Sequence, residues 1–482
     1  MNKLNSALRR GTGLLCAWAF ATLASAQQHD GFGGLTSVAG LDLRQAEIRV
    51  PEVQSWTTEA GSRVLFVPAR ELPMVDLEVR IAAGSAVAPD KPGLAALTLY
   101  MLDEDSLDRS AFELAERLDG LGVIFSKTIH RDYIELSLRS LSAPAQRDAA
   151  IDLLTEMLAR PALKEAQLQH IKSELLAIEE RQRNVPAAML RNGLHHYLFA
   201  GHPYAEQPHG SAEAIKAVTA RDLKDFHAAH YVAGNLSLSI VGDLSQLDAE
   251  AIAHRISQAL PPGTLAPALP APALIEPEIL HLERPGSVTN VVLAFPLSLR
   301  KSDPDYPALM LASEILGGGI NSRLMQELRV ARGLSYGAAA KLVTLEAAGM
   351  LRIEWDIAAR YNDSSQDLVL ETVKALIDQG PTQDELDEAL QQLAAHALKQ
   401  VSQNGSLADL LSQFNGDRTA FDRYFTHLQQ ARALTPADIK AALQRHLNPD
   451  RSVVISAGPD GKQLELPPRY PSEAPLAAVQ RY

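Results

Sequence analysis

Cysteine is almost absent from this 482-residue sequence, which contains only Cys16. Because Cys16 lies in a short apolar segment near the start, the chain beyond residue 26 contains no cysteine. Disulfide bonds therefore cannot stabilise that part of the fold, and cysteine-based catalysis is excluded there.

Long hydrophobic runs are also absent. The run "GLLCAWAFATLA" is shorter than the roughly 20 residues that a membrane-spanning helix needs. Lys3, Arg9 and Arg10 precede it, and Ala24-Ser25-Ala26 follows as a small-residue cleavage site. We therefore expect residues 1–26 to be a signal peptide that exports the protein, to the periplasm, with no membrane span after its removal.

Positive charge is in short supply. The formal net charge is −13, from 45 basic and 58 acidic side chains. Loss of the signal peptide would leave 42 basic residues against 58 acidic ones, a net charge of −16. Nucleic acids and anionic membrane surfaces attract clustered cations, so neither is an expected partner.

Proline, in contrast, is concentrated at the middle of the chain. The stretch "PPGTLAPALPAP" carries five prolines within residues 261–272. Such a composition favours extended polyproline geometry and makes a semi-rigid spacer. We interpret residues 261–275 as a linker between an N-terminal domain, 45–260, and a C-terminal domain, 276–482.

The two halves contain segments that resemble each other. "TARDLKDFHAAHYVAGNLSLSIVGD" (219–243) aligns with "TPADIKAALQRHLNPDRSVVISAGP" (435–459) at a constant offset. Both read as a helix that begins at a threonine cap and is followed by an apolar strand. The identical pairs are Thr219/Thr435, Asp222/Asp438, Lys224/Lys440, His230/His446 and Gly242/Gly458. Gene duplication explains the match, and chance similarity of two helix–strand units is the alternative.

Strand and helix patterns alternate in both halves. "VDLEVRI" (75–81) has the period of a half-buried strand, and "VTNVVLAFPL" (288–297) is its counterpart in the second half. Long helical patterns follow in each half. The sequence therefore predicts an α+β fold of two homologous domains, each an antiparallel or mixed sheet with helices on one side.

Several catalytic motifs are missing. The sequence contains no zinc-protease helix with two histidines and a glutamate in either order, no phosphate-binding loop and no Gly-x-Ser-x-Gly elbow. The remaining histidines lack a clear third ligand, and we interpret them as structural or surface residues rather than as a metal site.

One segment is distinctive, the stretch "GGGINSRLMQELRVARGLSY" (317–336). Together with the doubled domain and the proline-rich linker, it resembles the pitrilysin/insulinase type of metallopeptidase, the inverzincins. In that family, two such domain pairs close around an unfolded peptide. One pair carries His-x-x-Glu-His on its first helix, and the other carries an Arg and a Tyr seven residues apart that contact the peptide.

The resemblance locates the positions where the zinc motif would lie. After "GLA" (93–95), Ala96 and Tyr100 occupy the two histidine positions and Leu99 occupies the glutamate position. The third ligand falls at Ala177, with Glu174, Glu179 and Glu180 close by. Alanine cannot bind zinc and leucine cannot accept a proton from water, so we expect no metal and no zinc-dependent hydrolysis in this chain alone.

The other half of the family pattern is retained, as Arg329 and Tyr336. Gly333 lies between them and is predicted to end the preceding helix in a left-handed cap, which would turn both side chains toward one place. Both can donate hydrogen bonds to peptide carbonyl oxygens. The flexible loop Gly317, Gly318 and Gly319 would let a peptide approach the backbone. The alternative is that Arg329 pairs with Glu327 or a neighbour and Tyr336 packs in the core.

Three functions fit these observations. The first is that of a catalytically incomplete subunit, which supplies Arg329 and Tyr336 to a zinc-carrying homologous partner and its unstructured peptide substrate. Alternatively, the chain is a non-enzymatic scaffold of the same fold or a stand-alone peptide-binding protein. The retained Arg–Tyr pair favours the first function, because a scaffold has no need of it.

Overall fold

The computed structural model describes residues 50–273, 276–301 and 303–470. The predicted signal peptide, 1–26, and residues 45–49 of the predicted N-terminal domain lie outside the described residues. Within that part of the chain, no helix is long and apolar enough to cross a membrane.

The first half combines six described strands with eight helices. The strands are β1 (Gln54–Thr57), β2 (Arg63–Pro68), β3 (Met74–Ile81), β4 (Ile124–Ile129), β5 (Ile134–Leu141) and β6 (Leu236–Gly242). The helices are α1 (Leu94–Tyr100), α2 (Ala111–Gly120), α3 (Pro144–Ala159), α4 (Glu165–Arg183), α5 (Pro186–Leu198), α6 (Ala212–Ala217), α7 (Ala220–His230) and α8 (Gln246–Ala259).

The second half combines five described strands with seven helices. The strands are β7 (Glu278–Glu283), β8 (Val288–Leu297), β9 (Ala338–Thr344), β10 (Gly349–Ala358) and β11 (Val453–Gly458). The helices are α9 (Tyr306–Gly317), α10 (Arg323–Met325), α11 (Asn362–Gln379), α12 (Gln383–Val401), α13 (Asn404–Ser412), α14 (Arg418–Ala431) and α15 (Pro436–His446).

The two sheets share one topology. The first has the order β1-β2-β6-β3-β5-β4 and the second the order β7-β11-β8-β10-β9. In each, one parallel pair, β2 with β6 or β7 with β11, is followed by antiparallel pairs out to the far edge. The predicted fold class, two homologous α+β domains with mixed sheets, is therefore confirmed.

The repeated segments occupy equivalent places in the two domains. Helices α7 and α15 both have 11 residues, and each begins with a capping box, Thr219 with Asp222 and Thr435 with Asp438. Each box satisfies backbone N–H groups that the first helical turn leaves unpaired. Each helix then leads into the second strand of its parallel pair, β6 or β11, which also pairs antiparallel with β3 or β8. The shared topology favours duplication over chance similarity.

Two helices exchange places between the domains. Helix α5 of the first half packs on β8 and β11 of the second sheet, and helix α13 of the second half packs on β3 and β6 of the first. Leu190, Leu194 and Leu198 of α5 are buried in an apolar cluster with Val292 and Ile455. Each sheet thus has its own helices on one face and a helix of the other domain on the opposite face.

The expectation that residues 75–81 form a half-buried strand is wrong. Strand β3 is buried on both faces, and its polar residues Asp76, Glu78 and Arg80 are only 5%, 7% and 4% exposed. Helix α13 covers the face that the alternating pattern assigns to solvent. That contact joins residues more than 300 positions apart, so a local sequence pattern cannot reveal it.

The proline-rich segment has no regular secondary structure over residues 261–273. It is fastened to the first domain by three hydrogen bonds. The Ala233 N–H donates to the Pro261 carbonyl oxygen at 2.9 Å, and the Ala266 N–H donates to Asn235 Oδ1 at 2.8 Å. His202 Nε2 lies 2.9 Å from the Pro270 carbonyl oxygen. These contacts hold the segment against the domain surface.

Candidate functional site

The Arg329–Tyr336 loop begins with a change in helix type. Helix α10 continues as a π-helical turn over Gln326–Val330, and Arg329 lies in that turn. Gly333 has a φ of +62°, and its N–H donates to the Arg329 carbonyl oxygen at 2.9 Å. The Leu334 N–H donates to the Leu328 carbonyl oxygen at 2.8 Å. These bonds form the left-handed cap that the glycine predicts.

The cap brings the two ends of the loop into contact. Arg329 Nη1 donates to the backbone carbonyl oxygen of Tyr336 at 3.0 Å. The Tyr336 side chain is 88% exposed, and Arg329 is exposed as well. Tyr336 lies two residues before β9, which begins at Ala338. Arg329 and Tyr336 are therefore both exposed to solvent at the surface of the second domain.

The structural alternative for this pair does not hold. Glu327 forms ion pairs with Arg332 and Arg469 and not with Arg329. Tyr336 is not part of the core.

The loop is also braced by a segment that sequence reasoning missed. The Tyr470 N–H donates to the Ala331 carbonyl oxygen at 2.7 Å, and the Tyr470 ring lies beside Gly333. No motif marks residues 469–470, because this is a contact between distant parts of the chain.

The three consecutive glycines make close contacts within the protein. A Cβ atom on Gly317 would lie 2.1 Å from the Ala340 backbone nitrogen, and one on Gly318 would overlap Glu314. A Cβ atom on Gly319 would lie 2.9 Å from the Gln392 side chain. Gly317 therefore allows helix α9 to lie against strand β9, whereas Gly318 leaves space for Glu314 of its own helix. Their predicted role in peptide approach stays a prediction.

The degenerate zinc positions lie in two helices. Ala96 and Leu99 of α1 are fully buried among apolar side chains. Tyr100 is half-buried; its hydroxyl lies 3.2 Å from His209 Nε2, and burial raises the pKa of its phenol. Ala177 is exposed on α4. The phenol thus stays protonated at neutral pH and is a poor metal ligand.

The neighbouring glutamates on α4 do not supply a replacement ligand set. Glu179 is buried and accepts a hydrogen bond from Arg183 at 2.6 Å, and Glu174 pairs with His170 at 3.3 Å. Residues 50–273, 276–301 and 303–470 contain no group of three or more His, Cys, Asp or Glu side chains that could hold a metal ion. The side chains at the motif positions, and the described residues around them, do not fit a zinc ion.

An apolar groove of about 320 Å³ lies beside the Arg–Tyr loop. Ala187 and Leu190 of α5 form one wall, and Val292 and Trp355 of the second sheet line it with residues 337–339. Strand β9 is the edge of this sheet and pairs with β10 on one side. An edge strand beside a groove offers backbone hydrogen bonds and a side-chain pocket to an extended peptide.

The fold and these positions define a class: a two-domain α+β protein of metallopeptidase architecture that lacks the metal ligands. Residues 63–207 match the family described as insulinase (peptidase family M16), and residues 217–393 match the one described as peptidase M16 inactive domain. The chain is 38% identical to a crystal structure of a peptidase M16 inactive domain from Pseudomonas fluorescens. That similarity covers 86% of this chain and 100% of the other, with a TM-score of 0.83. The protein belongs to peptidase family M16.

More distant relatives agree with this assignment. The non-peptidase homolog YmxG of Helicobacter pylori is 25% identical over 341 residues, which are 69% of this chain and 76% of that protein. A solved protease from Helicobacter pylori is 19% identical with a TM-score of 0.76, over 85% of this chain and 100% of the other, and supports the fold alone. The expectation that the chain is an inactive homologue in the insulinase-like family is thus confirmed.

Proposed function

We propose that the protein is the catalytically incomplete subunit of a zinc-dependent periplasmic peptidase. In this proposal it binds an unstructured peptide and presents Arg329 and Tyr336 to the active site of a homologous, zinc-carrying partner. The observation that carries the proposal is the exposed pair itself, with Arg329 hydrogen-bonded to the Tyr336 backbone and both residues exposed to solvent.

The two side chains suit a reacting peptide bond. The guanidinium offers several N–H donors in one plane and the phenol offers one O–H donor. Donors directed at a carbonyl oxygen stabilise the negative charge that develops on it, and loss of one such donor costs about 10²–10³ in rate. The apolar groove beside β9 would hold a side chain of the same extended peptide.

The remaining parts of the proposal concern the setting. Ala96 and Tyr100 occupy the positions of the two zinc-binding histidines and Leu99 occupies that of the general base. In this proposal the metal and the base therefore come from another chain, and zinc is expected in the partner subunit. The predicted signal peptide supports an exported location for this chain, and the proposed partner would have to share that compartment.

The second candidate is a scaffold or stand-alone peptide-binding protein of the same fold. It is favoured by one observation, the resemblance to a relative named as a non-peptidase homolog. A scaffold would not require an exposed Arg–Tyr pair, and a stand-alone binder would not require a partner.

Copurification tests the partnership. The full chain, carrying an affinity tag, is recovered from its native extract, and the bound material is identified and assayed for metal. We expect a homologue with His-x-x-Glu-His and one zinc per complex. Recovery of this chain alone, without zinc and without a homologue, would contradict the proposal.

Reconstitution tests the residues. The purified pair should cleave an unstructured peptide, and Arg329→Ala or Tyr336→Phe should lower kcat by about tenfold or more without breaking the complex. Arg221→Ala is the matched control, because Arg221 is an 89% exposed arginine on α7. Undiminished cleavage by the zinc-carrying chain on its own would rule out the assigned role.

A further inference from the structure

A polar cavity of about 710 Å³ lies between the two domains. The first domain contributes residues of β2, β3 and the turn between β4 and β5. The second contributes residues after β8, the β9–β10 turn and the region between α13 and α14. Its volume falls in the range of small-molecule sites. Five basic side chains line it: Arg63, Arg80, Arg131, Arg300 and Lys301.

Arg80 is the most buried of these cations. It is 4% exposed, and its guanidinium carbon lies 3.6 Å from the centroid of the Tyr133 ring. Nη1 donates to the Ser412 carbonyl oxygen at 3.0 Å, and Nη2 donates to Glu346 at 2.9 Å. Nε is buried and has no partner among the described residues. A buried N–H without an acceptor is unfavourable, so Nε is an unused donor of this guanidinium.

Arg63 and Lys301 also have donors to spare. Arg63 Nη2 donates to the amide oxygen of Asn415 at 3.0 Å, and Lys301 Nζ donates to that of Gln413 at 2.8 Å. Both acceptors are neutral. Burial, and then the charge of Arg80, lowers the pKa of Lys301 to about 8 and also lowers the pKa of Arg63. Arg80 thus repels both Lys301 and Arg63, while the charges of Glu346, Asp409 and Asp417 act in the opposite direction.

The acidic residues of the cavity are largely occupied. Asp132 accepts hydrogen bonds from the Tyr204 hydroxyl and from the Glu346 N–H. Glu135 accepts from Ser412 Oγ at 2.5 Å, and Asp417 caps α14 by accepting from the Ala420 N–H at 3.0 Å. Asp409 is exposed. Glu346, the fifth carboxylate of the lining, pairs with Arg80. Apart from Asp409, each acidic residue thus already accepts at least one hydrogen bond, whereas the cations keep unused donors.

We propose that this cavity binds a compact oxyanion, a carboxylate or phosphate group, held by Arg63, Arg80 and Lys301. An acceptor-only ligand would satisfy the unused N–H groups and reduce the repulsion that Arg80 exerts on Arg63 and Lys301. Because Arg63 and Arg80 belong to the first domain and Lys301 to the second, the bound anion would also tie the domains together. The site is separate from the Arg329–Tyr336 loop and does not depend on the function proposed for that loop.

The test uses the full chain and two probes, inorganic phosphate and succinate. Thermal unfolding and calorimetric titration are measured at constant ionic strength, with sodium chloride replacing the probe. We expect a saturable rise in Tm with at least one probe. Lys301→Met and Arg63→Met should each weaken binding at least tenfold. Lys224→Met, which removes an exposed lysine on α7, should bind like the parent.

The outcomes separate the ligand classes. A response to phosphate alone assigns a phosphate group, a response to succinate alone assigns a carboxylate, and a response to both assigns recognition by charge. A Tm rise equalled by sodium chloride, or unaltered binding in folded Lys301→Met and Arg63→Met, overturns the proposal. Arg329→Ala should bind the probes normally, so a failure here is distinct from a failure of the Arg–Tyr role.

Discussion

At the scale of single residues, the conformation of Gly333 fixes the distance between Arg329 and Tyr336. Its φ of +62° is unfavourable for a residue with a side chain. The cap that it forms lies between Arg329 and Tyr336 in the chain, and these two residues are joined by a hydrogen bond. The function proposed for the pair thus depends on a residue that has no side chain to offer a ligand.

Gly333→Ala should separate stability from function. We expect a loss of about 1 kcal/mol in the free energy of unfolding, because alanine is strained at this φ, and a further loss of partner-dependent peptide cleavage. Gly122→Ala is the matched control, since Gly122 has a φ of +66° with no atom within 4 Å of an added Cβ. It should lose similar stability and keep activity. Equal activity in both variants would show that the cap does not position the pair.

Glu78 should make stability depend on pH. The pKa of this carboxyl group is raised to about 8, mainly by burial. The Ser137 hydrogen bond opposes the rise, and the nearby acids Glu135, Asp409 and Asp76 contribute to it. A raised folded-state pKa gives stability that is complete below the ordinary value of 4.5 and is lost as the pH rises through about 8.

Glu78→Gln removes this ionisation. At pH 8 the variant should be more stable than the parent, on the order of 2 kcal/mol by chemical denaturation, and near pH 4 the two should be similar. Glu59→Gln, at an exposed carboxylate, should follow the parent at both pH values. A parent stability that stays level between pH 5 and pH 8 would contradict this role for Glu78.

At the scale of secondary structure, the exchanged helices α5 and α13 carry the contact between domains. Leu194 of α5 is fully buried against the second sheet. Leu194→Ala should reduce the free energy of unfolding by about 3 kcal/mol, because it leaves a cavity in a packed core. Leu247→Ala, at a 77% exposed leucine of α8, should change it by less than about 0.5 kcal/mol. Similar effects of the two substitutions in chemical denaturation would mean that α5 is not firmly packed.

The helix exchange also explains what the sequence could and could not predict. The helix caps at Thr219, Thr435 and Gly333 could be predicted from the sequence, because capping depends on neighbouring residues. The shared threonine caps also made it possible to align the two halves. The burial of Asp76, Glu78 and Arg80 depends on a helix from the other half of the chain, so the alternating pattern of β3 is misleading. For the same reason, the brace at Tyr470 and the cavity around Arg80 have no signature in the sequence. The loss of the zinc ligands is visible because the family fixes their spacing.

At the scale of the whole molecule, the exchange makes each domain incomplete without the other. Without α13, the first sheet would expose a face bearing Asp76, Glu78 and Arg80. Without α5, the second would expose Val292, Ala294 and Ile455 to water. Leu65, Val67 and Val241 of the first sheet are also buried in one cluster with α13. Both losses therefore return apolar area to water, which costs about 25 cal/mol per Å². The proline-rich segment lies along the surface of the first domain and contributes little to either core.

Residues 50–260 and residues 276–470, produced separately, should therefore not fold as independent domains. We expect each to unfold without a cooperative transition and to bind a hydrophobic dye, and we expect coexpression to restore a one-to-one complex that unfolds cooperatively. The control is the full chain cut at a protease site placed between Pro267 and Ala268, which should keep the parent's unfolding transition. If either half folds cooperatively alone, the helix that the other half contributes is not required for the folding of that half's core. The two domains would then be free to move apart around the cavity that contains Arg80.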